Sequence, residues 1–140
     1  LCSKSKKSIM LAITTERRLL QGAVAIACII PLSAGLLGMV SGANFLGGGS
    51  ADMDSHMRYL SGLLCAIGIG FTSTIARIEA HTSRFRLLTG LVITGGIARL
   101  VGVFITGMPS PVMVCAIGME LVITPLLCVW QHHVARNIAK

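Results

Sequence analysis

The chain has 140 residues, of which 54% are hydrophobic and 12% are charged, and its mean hydropathy is +0.81. Soluble domains carry roughly 25% charged residues, so these few charges exclude a globular surface that faces water on all sides. The net charge of +7 by itself would fit a nucleic-acid binder. The Lys and Arg residues, however, cluster at the ends of apolar segments, a distribution typical of membrane proteins. We therefore predict an integral membrane protein whose first partner is the lipid bilayer, with no nucleic acid bound.

Four apolar segments have about the length that a membrane-crossing helix needs, roughly 20 residues at a rise of about 1.5 Å each. The fold class that follows is all-α, an integral membrane four-helix bundle. The predicted spans are residues 19–40, 59–75, 87–105 and 112–130.

The positions of the basic residues predict the orientation. If both termini are cytoplasmic, ten of the 12 Lys and Arg residues lie on the inner side, Arg58 lies outside and Arg99 lies within a span. This positive-inside bias predicts an N-in/C-in topology. The domain division is then a basic cytoplasmic N-terminal segment over residues 1–18, a four-span transmembrane domain over 19–134 and a cytoplasmic tail over 135–140.

Gly and Asp residues between the first two spans predict a flexible outer loop over residues 41–55. Asp54 or Ser55 is expected to cap the second helix, and Asp54 lies one turn before Arg58 on the same helix face. Small residues at every fourth position predict close helix contacts in the first and second spans. These two stripes are Ala34, Gly38 and Gly42, and Gly62, Ala66 and Gly70.

Arg99 in the third span and Glu120 in the fourth are full charges inside apolar segments. A charged side chain at such a depth costs several kcal/mol unless it is paired or faces protein or water. Glycines flank Arg99 on its helix face, and the short turn at residues 107–111 makes the two spans antiparallel neighbours. Both charges lie about 9–12 Å from the outer helix ends, so we expect an Arg99–Glu120 ion pair that faces the centre of the bundle.

Five residues form the predicted polar cluster on the outer half of the bundle: Asp54, His56, Arg58, Arg99 and Glu120. One interpretation is structural, with Arg99–Glu120 fixing helix register and Asp54–Arg58 capping nearby. The other is an outward-facing pocket in which Arg58 and Arg99 bind a small polar or anionic ligand, with Glu120 as counter-ion or proton carrier. The sequence leaves both interpretations open.

The sequence offers no catalytic or metal-binding pattern, because its spacing supports no Ser–His–Asp arrangement, no Cys-x-x-Cys pair and no His-x-x-x-His motif. The sequence leaves open whether the protein binds a cofactor and which one. Cys65 and Cys115 are predicted at similar depths, which allows a disulfide between them. A membrane redox enzyme that uses quinone or thiols would require these two cysteines to be close.

Several short runs resemble those of a family of small bacterial membrane proteins. They are residues 54–62, residues 95–99, Pro109, Glu120 with Pro125, and Trp130 with Gln131. Over about residues 18–134 the chain is similar to the domain-of-unknown-function family 4345. This resemblance implies a four-helix protein of the bacterial inner (cytoplasmic) membrane, distantly similar to DoxX-like proteins. It implies no reaction, ligand or catalytic residue.

The abundance of small-residue stripes predicts a non-enzymatic accessory or scaffolding subunit that packs against other membrane helices, from other subunits or from a second copy of itself. The alternative function is a binder or transporter of a small polar or anionic ligand through the Arg/Glu pocket. The surroundings of Arg58, Arg99 and Glu120 distinguish the two hypotheses. A mutually satisfied cluster favours the first, and a cavity beside these residues favours the second.

Overall fold

The computed structural model describes residues 2–138, with the side chains of residues 10–45 and 47–138. This part of the chain is helical and contains no strand. Residue 1, the side chains of Lys4, Lys6 and Lys7, and the last two residues of the predicted tail lie outside the described residues. The helices are α1 (Cys2–Ser41), α2 (Ala51–Thr72), α3 (Thr82–Thr106), α4 (Pro111–Gly118) and α5 (Thr124–Ile138).

The helices confirm the predicted all-α fold, with four segments long and apolar enough to cross a membrane. The fourth of these segments joins α4 to α5 through one π-helical turn, Met119–Ile123. The N-in/C-in orientation stays a prediction. The four segments are Met10–Phe45, Ala51–Arg77, Thr82–Thr106 and Pro111–Ile138.

Helix α1 is longer than the span predicted from the sequence. It runs without interruption from Cys2 to Ser41, so the predicted basic segment and the first span share one helix. At about 1.5 Å per residue, 40 residues extend about 60 Å, twice the thickness of the hydrocarbon layer. The division of the chain at residues 18 and 134 coincides with no helix end and stays a prediction.

The chain forms two compact units, one of which is Gly22–Ala76. Within it, glycines of α1 allow α2 to approach closely. A Cβ atom built on Gly35 would lie 2.7 Å from the backbone nitrogen of Cys65, and one built on Gly38 would overlap the hydroxyl of Ser61. Both glycines therefore act as contact points where any side chain would separate the two helices.

This contact includes Gly38 and Gly42 of the first predicted stripe, and it differs from the second predicted stripe by a rotation of α2. The close approaches occur at Gly35 and Gly38 of α1 and at Gly42, which begins the 3₁₀ turn after α1. Gly62 of α2 is no close contact, because a Cβ atom there would meet only the sulfur of Met39, at 4.0 Å. Burial of a single face of α2 that includes a phenylalanine sets the rotation of this helix. The residues of that face are Ser61, Cys65, Gly68 and Phe71.

The other compact unit combines the start of α1, up to Gln21, with the chain from Arg77 onward. In this unit α3 packs against α4, against the π-helical turn and against α5. Its buried side chains include Phe85 of α3 and Val134 of α5. The short turn between Thr106 and Pro111 makes α3 and α4 neighbours, as the sequence predicts.

The π-helical turn lies directly before Pro125. The N–H of Thr124 donates to the carbonyl of Met119, five residues earlier, and the Thr124 hydroxyl donates to the same carbonyl at 2.9 Å. Because proline has no N–H, Pro125 cannot donate to a carbonyl of the preceding turn, so the usual α-helical pattern is already interrupted there. The wider turn carries Glu120, and π-helical turns occur frequently at functional sites.

Candidate functional site

Arg58 fastens the end of α1 to the start of α2. Its Nη1 donates to the carbonyl oxygens of Met39 and Val40, at 2.6 and 3.0 Å. Its Nε donates to Asp54 Oδ2 at 2.7 Å, and Asp54 Oδ1 accepts the N–H of Ala43 at 2.9 Å. The predicted Asp54–Arg58 contact is therefore present, and it satisfies carbonyl groups at the end of α1 that have no partner within the helix.

Gly42 makes room for this arrangement. Its φ of +57° is the left-handed conformation that glycine adopts without strain. A Cβ atom at Gly42 would overlap Asp54 Oδ1 and lie 2.8 Å from Arg58 Nη2. The turn after α1 therefore requires glycine both for its backbone conformation and for the space that the Asp54–Arg58 pair occupies.

The expectation that Asp54 or Ser55 caps the second helix is wrong. Helix α2 begins at Ala51, and its N-cap is Ser50, whose hydroxyl accepts the N–H of Met53 at 3.3 Å. The helix starts four residues before Ser55, so Asp54 lies within its first turn. From that position its carboxylate binds the backbone of Ala43 instead. The predicted flexible loop is shortened further by a 3₁₀ turn, Gly42–Leu46.

Arg99 and Glu120 form the ion pair predicted from the sequence. Arg99 Nε lies 3.2 Å from Glu120 Oε1, and the pair joins α3 to the π-helical turn. Gly96, one turn before Arg99, allows this approach, because a Cβ atom there would lie 3.0 Å from Glu120 Cβ and 2.7 Å from Leu121 Cδ2. The glycine beside Arg99 thus brings the acidic residue within reach of the guanidinium.

A cavity of about 170 Å³ lies beside Arg99 at the end where α3 turns into α4. Arg99 is the charged residue among those that line it, and Nη1 of Arg99 donates to the sulfur of Met113, which also lines the cavity. Thioether sulfur is a weak acceptor. The guanidinium of Arg99 therefore has one strong partner, Glu120. Another edge of the guanidinium lies beside the cavity. The lining residues are Arg99, Gly102, Val103, Thr106, Gly107, Pro109, Met113 and Ile117.

The two oxygens of Glu120 have different surroundings. Oε1 contacts Arg99, whereas Oε2 is buried and has no hydrogen-bond partner among the described residues. The side chain as a whole is 18% exposed, against 41% for that of Arg99. Glu120 does not line the cavity, whereas Arg99 does. Glu120 therefore contacts the guanidinium on the side away from the cavity.

The five predicted site residues divide between the two compact units. Asp54, His56 and Arg58 belong to Gly22–Ala76, and the pair of Arg99 and Glu120 belongs to the other unit. His56 is exposed and forms no side-chain hydrogen bond or ion pair within the part of the chain that the structure describes. Each arginine thus has its own acidic partner inside its own unit.

Sequence reasoning missed a buried polar residue at the opposite end of the third and fourth segments. Gln131 is fully buried, and its amide donates to the carbonyl of Ile78 at 2.7 Å and to Thr82 Oγ1 at 2.9 Å. The charge pattern offered one signal for this end of the unit, since Glu79 is the sole acid in a basic loop. It pairs with Arg17 of α1 at 2.9 Å.

The four cysteines whose side chains are described are all free thiols: Cys28, Cys65, Cys115 and Cys128. The disulfide that the sequence allowed between Cys65 and Cys115 is therefore not formed. Cys65 is instead a contact residue of α2 beneath Gly35. Small apolar side chains at helix contacts are the usual role of such buried cysteines.

Comparison with known proteins identifies one family. Its model matches residues 19–131, a range that contains all five predicted site residues and Gln131. No curated protein and no solved structure matches the chain. Since the family model covers most of the sequence, the chain belongs to the family described as Domain of unknown function (DUF4345).

Proposed function

We propose that this integral membrane protein binds a small anionic group at Arg99, with Glu120 as the positioning residue. The observation that carries the proposal is the cavity beside Arg99, which no other charged residue lines among the described residues. Glu120 holds Nε of the guanidinium, and Nη2 has no hydrogen-bond partner among the described residues. A guanidinium held from one side presents paired donors to an anion on the other.

The size of the cavity limits the ligand. The cavity has a volume of about 170 Å³. It is smaller than the pockets of about 300–1,000 Å³ that hold drug-sized ligands. The site therefore suits a small inorganic anion, or the charged group of a larger molecule whose remainder lies outside the cavity.

Arg58 contributes less to this function than the sequence suggested. Its Nη1 donates to two carbonyl groups and its Nε donates to Asp54. These hydrogen bonds occupy the guanidinium donors that an anion would need. We therefore assign Asp54 and Arg58 to structure and place the ligand at Arg99 alone. His56 does not line the cavity, so we give it no role in binding the ligand.

Binding of nitrate and of sulfate to the purified protein in lipid nanodiscs tests this proposal by isothermal titration calorimetry. We expect at least one of the two anions to bind and Arg99→Gln to abolish that binding. Arg136→Gln is the matched control, because Arg136 is exposed on α5 and carries the same charge away from the cavity. Equal binding by the Arg99 variant, or binding of neither anion, would overturn the proposal.

A second candidate function is that of a non-enzymatic accessory or scaffolding subunit. Gly95, Ala98 and Gly102 lie on one face of α3, and a Cβ atom built on either glycine meets no atom of its own unit within 4 Å. Small residues let a neighbouring membrane helix approach closely. This surface suits a helix of another subunit or of a second copy of the chain.

The oligomeric state in nanodiscs tests the scaffolding role for a second copy. We expect a dimer or larger assembly for the natural sequence and a monomer for Gly95→Leu, with Gly22→Leu as a control on α1. A protein that is strictly monomeric at every concentration would contradict self-association. We also propose that the protein is located in the bacterial inner membrane. Fractionation of cells that produce the protein would test this location.

A further inference from the structure

One oxygen of the Glu120 carboxyl group receives no hydrogen bond from the part of the chain that the structure describes. Oε1 faces Arg99 Nε at 3.2 Å, whereas Oε2 is buried and unpaired among the described residues. An ionised carboxylate oxygen that is removed from water and lacks a donor is unfavourable. The ionised state of Glu120 therefore depends on the positive charge of Arg99.

No second cation among the described side chains of this unit can take over that role. The charged residues of α3 other than Arg99 lie near its start, at least 13 residues from Arg99, which is about 20 Å along a helix. Those of α5 lie in its last turns, and Arg17 of α1 pairs with Glu79, which precedes α3. The other titratable or charged side chains of α3, α4 and α5 are Arg84, Arg86, Cys115, Cys128, His132, His133 and Arg136.

An anion in the cavity would compete with Glu120 for this one guanidinium. The anion and the Glu120 carboxylate would then both lie beside one guanidinium inside an apolar segment. Two negative charges so close together disfavour the ionised form of the carboxylate. Protonation of Glu120 relieves the conflict, because the carboxyl group becomes neutral and Arg99 keeps the anion as its partner. The new O–H bond forms on the carboxyl group of Glu120, and the proton comes from the bulk solution.

We propose that Arg99 and Glu120 form a proton-linked anion site, in which each bound monoanion is accompanied by one proton taken up at Glu120. This inference rests on the proposed function and adds its regulation. Without ligand the site holds Arg99 and ionised Glu120, with no net charge. With ligand it holds Arg99, neutral Glu120 and one monoanion, again with no net charge.

Charge neutrality also selects the class of ligand. A net charge inside an apolar segment costs several kcal/mol, so an anion with a single negative charge fits the protonated site. A dianion would leave one uncompensated negative charge there. We therefore expect nitrate to bind with a proton and to bind more tightly than sulfate. Because linkage is reciprocal, the proton must strengthen nitrate binding as much as nitrate strengthens proton binding.

Calorimetric titration of the wild-type protein with nitrate tests the inference directly. The titration is repeated between pH 5 and pH 8, at each pH in two buffers with different enthalpies of ionisation, so that the number of protons taken up is measured. We expect up to one proton per nitrate, and an affinity that rises by at most about tenfold for each unit that the pH falls. Sulfate serves as the dianion control.

Glu120→Gln is the variant that isolates the proton site, since glutamine resembles the protonated carboxyl group. It should bind nitrate with no proton uptake and with an affinity independent of pH. Uptake that persists in this variant would exclude Glu120 as the proton site. If the variant does not fold, the proton count of the wild-type protein still decides the matter.

The outcomes separate this inference from the proposed function. Nitrate binding that requires Arg99 but takes up no proton and does not vary with pH would overturn the inference alone. So would sulfate binding more tightly than nitrate. Absence of binding by both anions at every pH would overturn the proposed function, and the inference with it.

Discussion

Arg99 Nε lies 3.2 Å from Glu120 Oε1, and this ion pair joins α3 to the π-helical turn between α4 and α5. Both residues stand in segments apolar enough to cross a membrane. Each therefore needs the other, because an unpaired charge in such a segment is strongly unfavourable. The pair positions the third and fourth segments relative to one another, and it holds the guanidinium at the wall of the cavity.

Removal of one partner should be more damaging than removal of both. We expect Arg99→Met to lower the free energy of unfolding by about 1–3 kcal/mol, because the Glu120 carboxylate is left without its cation. The double variant Arg99→Met/Glu120→Gln should recover most of this loss. Unfolding in mixed micelles with increasing SDS would measure both. An additive double variant would show that the pair contributes no coupling, and Arg136→Met serves as the exposed control.

The contacts of Arg58 predict that lysine cannot replace it. A lysine has a single ammonium group, which cannot bind the carbonyls at the end of α1 and the carboxylate of Asp54 in the same fork. We expect Arg58→Lys to lower the free energy of unfolding by about 1 kcal/mol, a modest value because the pair is partly exposed. Arg18→Lys, at an exposed position of α1, should change it by less than about 0.5 kcal/mol.

Gly35 should tolerate no side chain. Even the methyl group of Gly35→Ala would lie 2.7 Å from the backbone nitrogen of Cys65, an atom that cannot move aside without moving α2. Such overpacking typically costs about 1–3 kcal/mol. Gly22→Ala is the matched control in the same helix, because its Cβ would meet nothing within 4 Å. It should be neutral or stabilising by up to about 1 kcal/mol. Equal stability of the two variants would contradict the close contact.

Gln131 should be required for its hydrogen bonds. We expect Gln131→Leu to lower the free energy of unfolding by about 1–3 kcal/mol, since the buried carbonyl of Ile78 loses its donor. Thr82→Val removes only one of the two acceptors of Gln131 and should have the smaller effect. SDS unfolding of the two variants would measure the difference. A larger effect of Thr82→Val would show that the hydroxyl, and not the carbonyl, is the important partner.

The N-in/C-in topology predicts where reporter proteins fold. A green fluorescent protein fused after residue 138 should be fluorescent, and alkaline phosphatase at the same position should be inactive, because the positive-inside bias predicts a cytoplasmic location for this end. Fusions after Ser110, in the turn between α3 and α4, should show the opposite result. Active phosphatase at the C-terminal site would overturn the predicted orientation.

Much of this protein could be predicted from its sequence. Long apolar runs with few charges specify spanning helices, because a backbone in hydrocarbon must satisfy its own hydrogen bonds. The Arg99–Glu120 pair was also predictable, since two opposite charges in helices joined by a five-residue turn have few other partners. The i,i+4 spacing of Asp54 and Arg58 likewise fixes their contact within one helix.

Only the tertiary structure showed which residues form the helix contacts and which backbone groups bind the polar side chains. The choice of Ser61 over Gly62 as a contact residue depends on how far α2 turns about its axis, which the spacing of small residues does not determine. Asp54 does not cap α2 because the helix already begins at Ala51, with Ser50 as its N-cap, and the Asp54 carboxylate accepts the N–H of Ala43. The cavity beside Arg99 arises from the packing of α3 against α4, and the unpaired Oε2 of Glu120 arises from packing at the π-helical turn; no local sequence pattern specifies such packing.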